Sequence, residues 1–221
     1  MNLNPPSEVA RRNMVENQVR AWEVLDARVL DVLVALPREA FVPKPYEALA
    51  YADVTLPIGY DEVMLKPVVE GRSLQALLPL ASERVLEIGT GTGYFAACLS
   101  RLAAHVTSID IRADFVEAAR QRLLDLAIDN VECVHADAFS GFAPDAPFDA
   151  IAVTGAVAEL PPIFGEWLEP DGRMFVFQGF APAMHAVLLE RAADGGWIED
   201  RRFETDVPYL TGAGPRPQFH L

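Results

Sequence analysis

The chain has 221 residues, of which 51% are hydrophobic and 23% are charged, and its net charge is −14 at neutral pH. This length and composition predict a globular protein with one large domain, or one domain with an extension. The acidic balance excludes binding to a nucleic-acid backbone, because the sequence has no basic stripe that would displace counterions.

No segment has the pattern of an export signal or a membrane anchor. The first residues have no apolar run behind their basic residues, which argues against a secretory signal. The most apolar stretch, residues 174–189, is interrupted by Gln178 and Pro182, so we predict no membrane span. Cys98 and Cys133 lie in apolar runs and form neither a disulfide framework nor a metal-ligand cluster. We therefore expect a cytoplasmic protein with no metal ion and no membrane contact.

The first eighty residues have helical periodicity and several prolines. Apolar residues at helical spacing predict an amphipathic helix over residues 24–36, which Pro37 ends. A proline-rich stretch follows. A second helix is predicted from about Pro67 to Leu78, because proline fits the first turn of a helix. We assign residues 1–80 to an N-terminal helical cap that includes a substrate-side segment.

Strand and helix patterns alternate after residue 80. The predicted strands are 84–88, 105–111, 131–136, 148–156, 173–180, 186–192 and 197–204, and the predicted helices are 94–103, 113–127 and 161–168. Such alternation predicts right-handed crossovers and a mostly parallel sheet with helices on both faces. The last two strands flank a turn, so a hairpin is expected to add antiparallel strands at one edge. Residues 81–221 are thus predicted to form an α/β core in one compact unit with the cap.

The first strand of this core leads into a glycine-rich turn. The turn consists of Gly89, Thr90, Gly91, Thr92 and Gly93. Glycines allow a ligand to approach the backbone closely. A dinucleotide-binding turn needs a small residue three positions after its second glycine, and Tyr94 stands there, which argues against a nicotinamide oxidoreductase. A phosphate-binding P-loop needs a lysine that this turn lacks, so the pattern does not favour a diphosphate.

Acidic residues at three strand ends favour a nucleoside that carries a positive charge. Glu87 precedes the glycine turn, where it would attract an ammonium group. Asp110 ends the next strand, 21 residues after Gly89, close to the ~20 expected for an acid that binds ribose hydroxyls. Asp137 follows the third strand, near the expected position of an adenine. This combination predicts S-adenosyl-L-methionine as the cofactor.

Several segments of the chain resemble the protein-L-isoaspartate O-methyltransferase family. The segment VLEIGTGTGYFAACLSRL resembles the glycine motif of that family, and NMVENQVR (13–20) resembles its N-terminal signature. PREAFVP (37–43), AYADVTLPIG (50–59) and PFDAIAVTGAVAELP (147–161) are also similar. The resemblance implies a Rossmann-like, seven-stranded methyltransferase sheet with an N-terminal helical cap. It also implies carboxyl methylation of isoaspartyl residues in damaged proteins.

One segment departs from the family pattern. After LPIG the family has a segment similar to HGQTISQP, whereas this chain has YDEVMLKP at 60–67. Val63 and Leu65 stand where the family has a threonine and a serine beside the methyl donor and the substrate carboxylate. Two alternatives therefore stay open. One is a divergent methyltransferase with a more apolar small-molecule acceptor, and the other is a non-catalytic module that binds S-adenosyl-L-methionine.

The predicted site residues fall into two groups. The residues predicted to bind the cofactor are Glu87, Gly89, Thr90, Gly91, Thr92, Gly93, Asp110, Ile111, Asp137, Ala138 and Thr154. The residues predicted to line the substrate entrance are Tyr60, Met64 and Leu65. No catalytic base is assigned, because a carboxylate acceptor is already ionised at neutral pH. The expected partner is an isoaspartyl protein or peptide, or a small-molecule acceptor.

Overall fold

The N-terminal part of the chain is helical apart from one short hairpin. The computed structural model describes residues 6–192 and 195–215. The elements of this part are α1 (Pro6–Met14), a π-helical turn (Val15–Val19), 3₁₀ turns (Arg20–Trp22, Arg38–Ala40 and Lys44–Leu49), α2 (Ala27–Ala35), β1 (Leu56–Gly59), β2 (Glu62–Met64) and α3 (Pro67–Leu77). Asp26 caps α2, since its carboxylate accepts hydrogen bonds from the backbone N–H groups of Arg28 and Val29.

A seven-stranded sheet forms the rest of the fold. Its strands are β3 (Arg84–Ile88), β4 (His105–Asp110), β5 (Val131–His135), β6 (Phe148–Val157), β7 (Leu168–Phe180), β8 (Ala183–Arg191) and β9 (Trp197–Thr205). Helices α4 (Tyr94–Ser100), α5 (Ala113–Asp125) and α6 (Pro162–Glu166) connect parallel strands. The spatial order is β5-β4-β3-β6-β7-β8-β9. The pairs from β5 to β7 are parallel, and β7, β8 and β9 pair antiparallel. This confirms the predicted α/β fold with seven strands and an antiparallel edge.

The strand order reverses between β3 and β6. The chain runs from β3 outward through β4 to β5, and then returns to place β6 on the other side of β3. Ligands of open α/β sheets bind beyond the carboxyl ends of the strands at such a reversal. The segments that follow β3 and lie near the end of β6 are therefore the expected floor of a binding site.

A buried cluster of apolar residues joins the two parts of the chain. It includes Met14 and Leu33 from the N-terminal helices together with Phe175 and Phe177 from β7, and all four side chains are at most 1% exposed. Burial of this apolar surface holds the helices against one face of the sheet. The division of the chain at residue 80 stays a prediction.

Several elements differ from the sequence expectation. The strand β7 begins at Leu168 instead of position 173, because Leu168 already pairs with Phe148 of β6, and this shortens α6. The hairpin of β1 and β2 was not predicted, since its strands have only four and three residues. Within the described residues, none of the helices has the length and apolar character needed to cross a bilayer.

Candidate active site

The glycine-rich turn joins β3 to α4 at the point where the strand order reverses. Gly89 has a φ of +106°, and a Cβ atom there would lie 2.5 Å from the hydroxyl oxygen of Thr154. That hydroxyl lies 3.0 Å from the carbonyl oxygen of Ile88 and 2.7 Å from that of Gly89. Thr154 thus holds the turn against β6, and only glycine fits this close, left-handed position.

Gly93 packs between two helices. It precedes α4 with a φ of +83°, and a Cβ atom there would lie 2.9 Å from the Cβ of Ala119 on α5. Its small size lets α4 and α5 pack closely, and it lines neither of the two cavities described next. The predicted role of Gly93 in cofactor binding stays a prediction.

A main cavity, open to solvent, lies over the carboxyl ends of β3, β4, β5 and β6. It brings together seven of the predicted cofactor-binding residues, which are Gly89, Gly91, Asp110, Ile111, Asp137, Ala138 and Thr154. These residues follow different strands in the sequence and meet because parallel strands end at one edge of the sheet. The hairpin of β1 and β2 covers this cavity through Ile58, Glu62 and Val63.

Asp110 is fixed at the end of β4 with its carboxylate at the main cavity. It accepts hydrogen bonds from the backbone N–H of Gly91 at 2.9 Å and from that of Arg112 at 2.9 Å. Burial raises the pKa of Asp110, and these two N–H groups oppose the rise. The carboxylate therefore has a fixed orientation and retains lone pairs that can accept hydrogen bonds from a ligand.

The far end of the main cavity is mainly apolar. Ile111, Phe115, Ala138 and Phe139 line it there. Asp137 also lines the cavity, but its carboxylate accepts hydrogen bonds from the N–H of Phe139 at 2.8 Å and from a serine hydroxyl at 2.7 Å. These bonds fix the turn after β5. The apolar side chains beside them are chemically suited to a purine ring.

A second cavity adjoins the glycine turn. The predicted residues Glu87, Thr90 and Thr92 line it, and Gly89, Gly91 and Thr154 are shared with the main cavity. Glu87 is fully buried and accepts a hydrogen bond from Ser108, whose hydroxyl is 2.6 Å from that of Thr90. Among the described residues, no hydrogen-bond partner reaches Oε1 of Glu87.

The burial of Glu87 raises the pKa of its carboxyl group. Burial raises the pKa of Glu87 to about 8, because the charged form loses its hydration, and the bond from Ser108 only partly opposes this. A cation placed beside the free oxygen would favour the ionised form. The second cavity therefore presents a carboxyl group that is suited to an ammonium ion.

The three residues predicted at the substrate entrance occupy different positions. Met64 and Leu65 are 4% and 7% exposed, and both line the second cavity. Tyr60 lines neither cavity. Its ring packs edge-on against Phe115 at 5.6 Å, and its hydroxyl donates to Asp114 at 3.2 Å. Tyr60 thus fastens the hairpin to the start of α5, because the turn at its tip projects past the cavity.

A buried ion pair beside the second cavity was not predicted from the sequence. The guanidinium of Arg38 pairs with Glu70, and these residues are 0% and 2% exposed. Arg38 also donates to the carbonyl oxygens of Ala50 at 2.9 Å and Leu65 at 2.6 Å. Arg38 therefore fixes the backbone of the segment that carries Leu65. An arginine between the apolar residues of LPREAFVP was the available signal, but it does not identify a partner 32 residues away.

The histidine and cysteine side chains that the structure describes line neither cavity. His105 begins β4, and His135 ends β5 with its Nε2 at 3.1 Å from the carbonyl oxygen of Ile111. Within residues 6–192 and 195–215, no three His, Cys, Asp or Glu side chains are grouped as metal ligands.

Comparison with known sequences places the chain in one family over nearly its whole length. Residues 9–211 match the model of the family described as protein-L-isoaspartate(D-aspartate) O-methyltransferase. A protein-L-isoaspartate O-methyltransferase of Methanoregula boonei is 39% identical, over 90% of this chain and 91% of that protein. A protein of the same name from Koribacter versatilis is 36% identical, over 94% and 93%.

Solved structures agree with this assignment. A structure titled protein-L-isoaspartate O-methyltransferase superposes with a TM-score of 0.77 at 26% identity, over 92% of this chain and 67% of that one. A Plasmodium falciparum structure with a TM-score of 0.79, in complex with S-adenosyl-L-homocysteine, shares the fold at 20% identity, over 90% of this chain and 97% of that one. The sequence resemblance is thereby confirmed. The chain belongs to the protein-L-isoaspartate(D-aspartate) O-methyltransferase family.

Proposed function

We propose that this chain transfers a methyl group from S-adenosyl-L-methionine to the free carboxylate of isoaspartyl residues in proteins and peptides. Family membership over residues 9–211 carries the proposal. The free and buried thiols of Cys98 and Cys133 support a reducing compartment, which fits action on cytoplasmic proteins.

The chemistry of the two cavities fits this cofactor. The apolar end between Ile111 and Ala138 suits the adenine, and Asp110 suits the ribose hydroxyls. The unpaired oxygen of Glu87 suits the ammonium group of the amino-acid end. When bound, S-adenosyl-L-methionine supplies an electrophilic methyl group on a sulfonium. The cavities carry acids where a diphosphate cofactor would need donors, so they favour a cationic nucleoside without phosphate.

The chain contributes alignment and exclusion of water. Methyl transfer is an in-line displacement, and an isoaspartyl carboxylate at neutral pH needs no base, so the task is to position two reactants. Gly91 allows a ligand close to the backbone at the junction of the two cavities. Met64, Leu65 and Phe95 form an apolar wall there, which removes water from the reacting groups.

A second candidate function has support from the wall of the second cavity. No cationic side chain lines it in the part of the chain that the structure describes, and Arg38 behind it is engaged with Glu70. A carboxylate that is buried without donors loses free energy. The apolar Met64 and Leu65 thus favour a neutral, less polar small molecule as the acceptor of the same methyl group.

Methyl transfer from labelled S-adenosyl-L-methionine tests both functions. The acceptor is an isoaspartyl peptide, the control is the same peptide with a normal aspartyl residue, and binding of S-adenosyl-L-homocysteine is measured in the same preparation. We expect label on the isoaspartyl peptide alone. Binding without any transfer to this peptide would contradict the main proposal and favour the other acceptor. A protein that binds the cofactor yet transfers to no acceptor would be a binding module.

A further inference from the structure

We propose that Glu62, on the hairpin over the main cavity, binds the cofactor ribose from the side opposite Asp110 and thereby positions the acceptor wall that follows it. The inference rests on the proposed function, because it needs a nucleoside in this cavity. Neither the spacing of the sequence nor the glycine motif points to Glu62. Its position follows from the fold of the hairpin.

The hairpin is held over the cavity by contacts at its tip. The two residues between β1 and β2, Tyr60 and Asp61, have φ values of +54° and +62°, a left-handed geometry that tyrosine rarely adopts. Such a conformation persists only where its surroundings determine it. Here the Tyr60 ring contacts Phe115, and the guanidinium of Arg112 lies 4.4 Å from the centre of that ring. The tip is therefore clamped to the start of α5.

This clamp places Glu62 against the acid that is expected to bind ribose. Glu62 is the first residue of β2 and lines the main cavity together with Asp110. Burial and then the charge of Asp110 raise the pKa of Glu62, and the charge of Arg112 opposes this rise. Its side chain makes no hydrogen bond with the described residues. Two acids that share a small space need donors between them.

Arg112 contributes a side-chain N–H group that has no acceptor among the described residues. It lines the same cavity, and its buried Nε has no hydrogen-bond partner among the described residues. Glu62, Asp110 and Arg112 therefore line one cavity with two carboxyl groups and one guanidinium. A vicinal diol has two O–H donors, so the ribose can donate a hydrogen bond to each carboxyl group.

Glu62 also links the two cavities. Val63 and Met64 follow it on β2, and Leu65 comes next, so a contact between Glu62 and the ribose sets the position of the residues that line the second cavity. Glu62 is therefore a cofactor-binding residue that also positions the acceptor wall.

Calorimetric titration with S-adenosyl-L-homocysteine and with its 2′-deoxy and 3′-deoxy analogues tests the inference. We expect Glu62→Ala to weaken binding of S-adenosyl-L-homocysteine about tenfold, the effect of losing a hydrogen bond to a partly exposed charged acceptor. For the analogue that lacks the hydroxyl bound by Glu62, the same substitution should weaken binding less than about twofold. Glu62→Gln keeps an acceptor oxygen, so it should stay within about threefold of the original chain.

The matched control is Asp61→Asn, which removes the neighbouring charge on the same hairpin. Asp61 is exposed and lines neither cavity, and asparagine tolerates its left-handed φ, so binding should change less than about twofold. Thermal melting of each variant shows whether it is folded. If Glu62→Ala is not folded, the titrations of Glu62→Gln test the inference.

Equal losses for Glu62→Ala with all three ligands would overturn the inference, as would an equal loss for Asp61→Asn. If Glu62→Ala does not fold, Glu62→Gln decides the question. The inference is overturned if Glu62→Gln binds all three ligands more weakly by the same factor and that factor exceeds about threefold. The titration needs no methyl acceptor, so it still tests the role of Glu62 if the chain does not methylate isoaspartyl peptides. If the original chain does not bind S-adenosyl-L-homocysteine, the proposed function and this inference fail together.

Discussion

Removal of the Glu70 carboxyl should destabilise the fold more than any surface charge does. Arg38 and Glu70 are 0% and 2% exposed, so Glu70→Leu leaves the guanidinium of Arg38 buried without its counter-ion. Arg38 cannot turn to solvent, because it also donates to the carbonyl oxygens of Ala50 and Leu65. Breaking such a buried pair costs about 3–5 kcal/mol. In a chain of this size that lowers the melting temperature by roughly 6–20 °C.

Denaturant unfolding of three variants and the original chain measures this effect. Arg38→Met leaves two buried carbonyl oxygens without donors, so it should also be costly. The double variant should be more stable than the sum of the single losses predicts, with a coupling of about 2 kcal/mol. Glu16→Leu is the control, because Glu16 pairs with Arg20 on the surface, where both side chains are more than half exposed.

Two results would refute the reasoning. A loss for Glu70→Leu as small as that for Glu16→Leu, within about 1 kcal/mol, would mean that Arg38 is not held as a buried charge. Additive losses in the double variant would mean that Arg38 and Glu70 act independently. Either result would also remove the basis for saying that Arg38 fixes the backbone at Leu65.

Three further predictions concern the glycine turn and Glu87. Burial raises the pKa of Glu87 from 4.5 to about 8, so its contribution to stability is present below pH 4.5 and is lost as the pH rises toward 8. Glu87→Gln should therefore make the free energy of unfolding, measured by denaturant titration, depend less on pH over that range. An unchanged pH dependence would contradict this. Binding of S-adenosyl-L-homocysteine at pH 7 should release protons, and Glu87→Gln should reduce this release. Calorimetry in buffers of different ionisation enthalpy measures the number of protons released. Gly93→Ala should lower the free energy of unfolding by about 1–2 kcal/mol, because of the φ of +83° and the contact with Ala119. The folded variant should bind S-adenosyl-L-homocysteine with unchanged affinity, and a loss of affinity without a loss of stability would mean that Gly93 contacts the cofactor.

Local patterns predicted the sheet and the strand ends that line the main cavity. Hydrophobic strands that alternate with helices specify a parallel sheet, and an acid at a strand end must then lie at the binding edge. Asp110 and Asp137 could therefore be placed from sequence position alone. Sequence position does not decide the role of Gly93, since a glycine that admits a ligand and a glycine that admits a helix have the same spacing.

The features that were not predicted depend on contacts distant in sequence. Arg38 and Glu70 lie 32 residues apart, and no local pattern identifies them as a pair. The hairpin that carries Glu62 has strands of four and three residues, too short for a clear alternation, and its tip lacks the glycine or asparagine typical of such a turn. Its geometry is imposed by Phe115 and Arg112, which belong to another part of the chain.

The two halves of the site are built by different means, and this explains where the chain departs from its family. The strand ends and the glycine turn, which come from the sheet itself, supply the groups that suit the adenosine. The side that we propose for the acceptor draws on the segment 60–67 and on α3, which lie outside the seven-stranded sheet. Substitutions in that segment, such as Val63 and Leu65, can change the acceptor without disturbing the seven-stranded sheet. Acceptor choice should therefore follow residues 60–67. Replacing YDEVMLKP by HGQTISQP should raise methylation of an isoaspartyl peptide and leave the seven-stranded sheet unchanged. An unchanged rate of methylation would mean that other residues decide the acceptor.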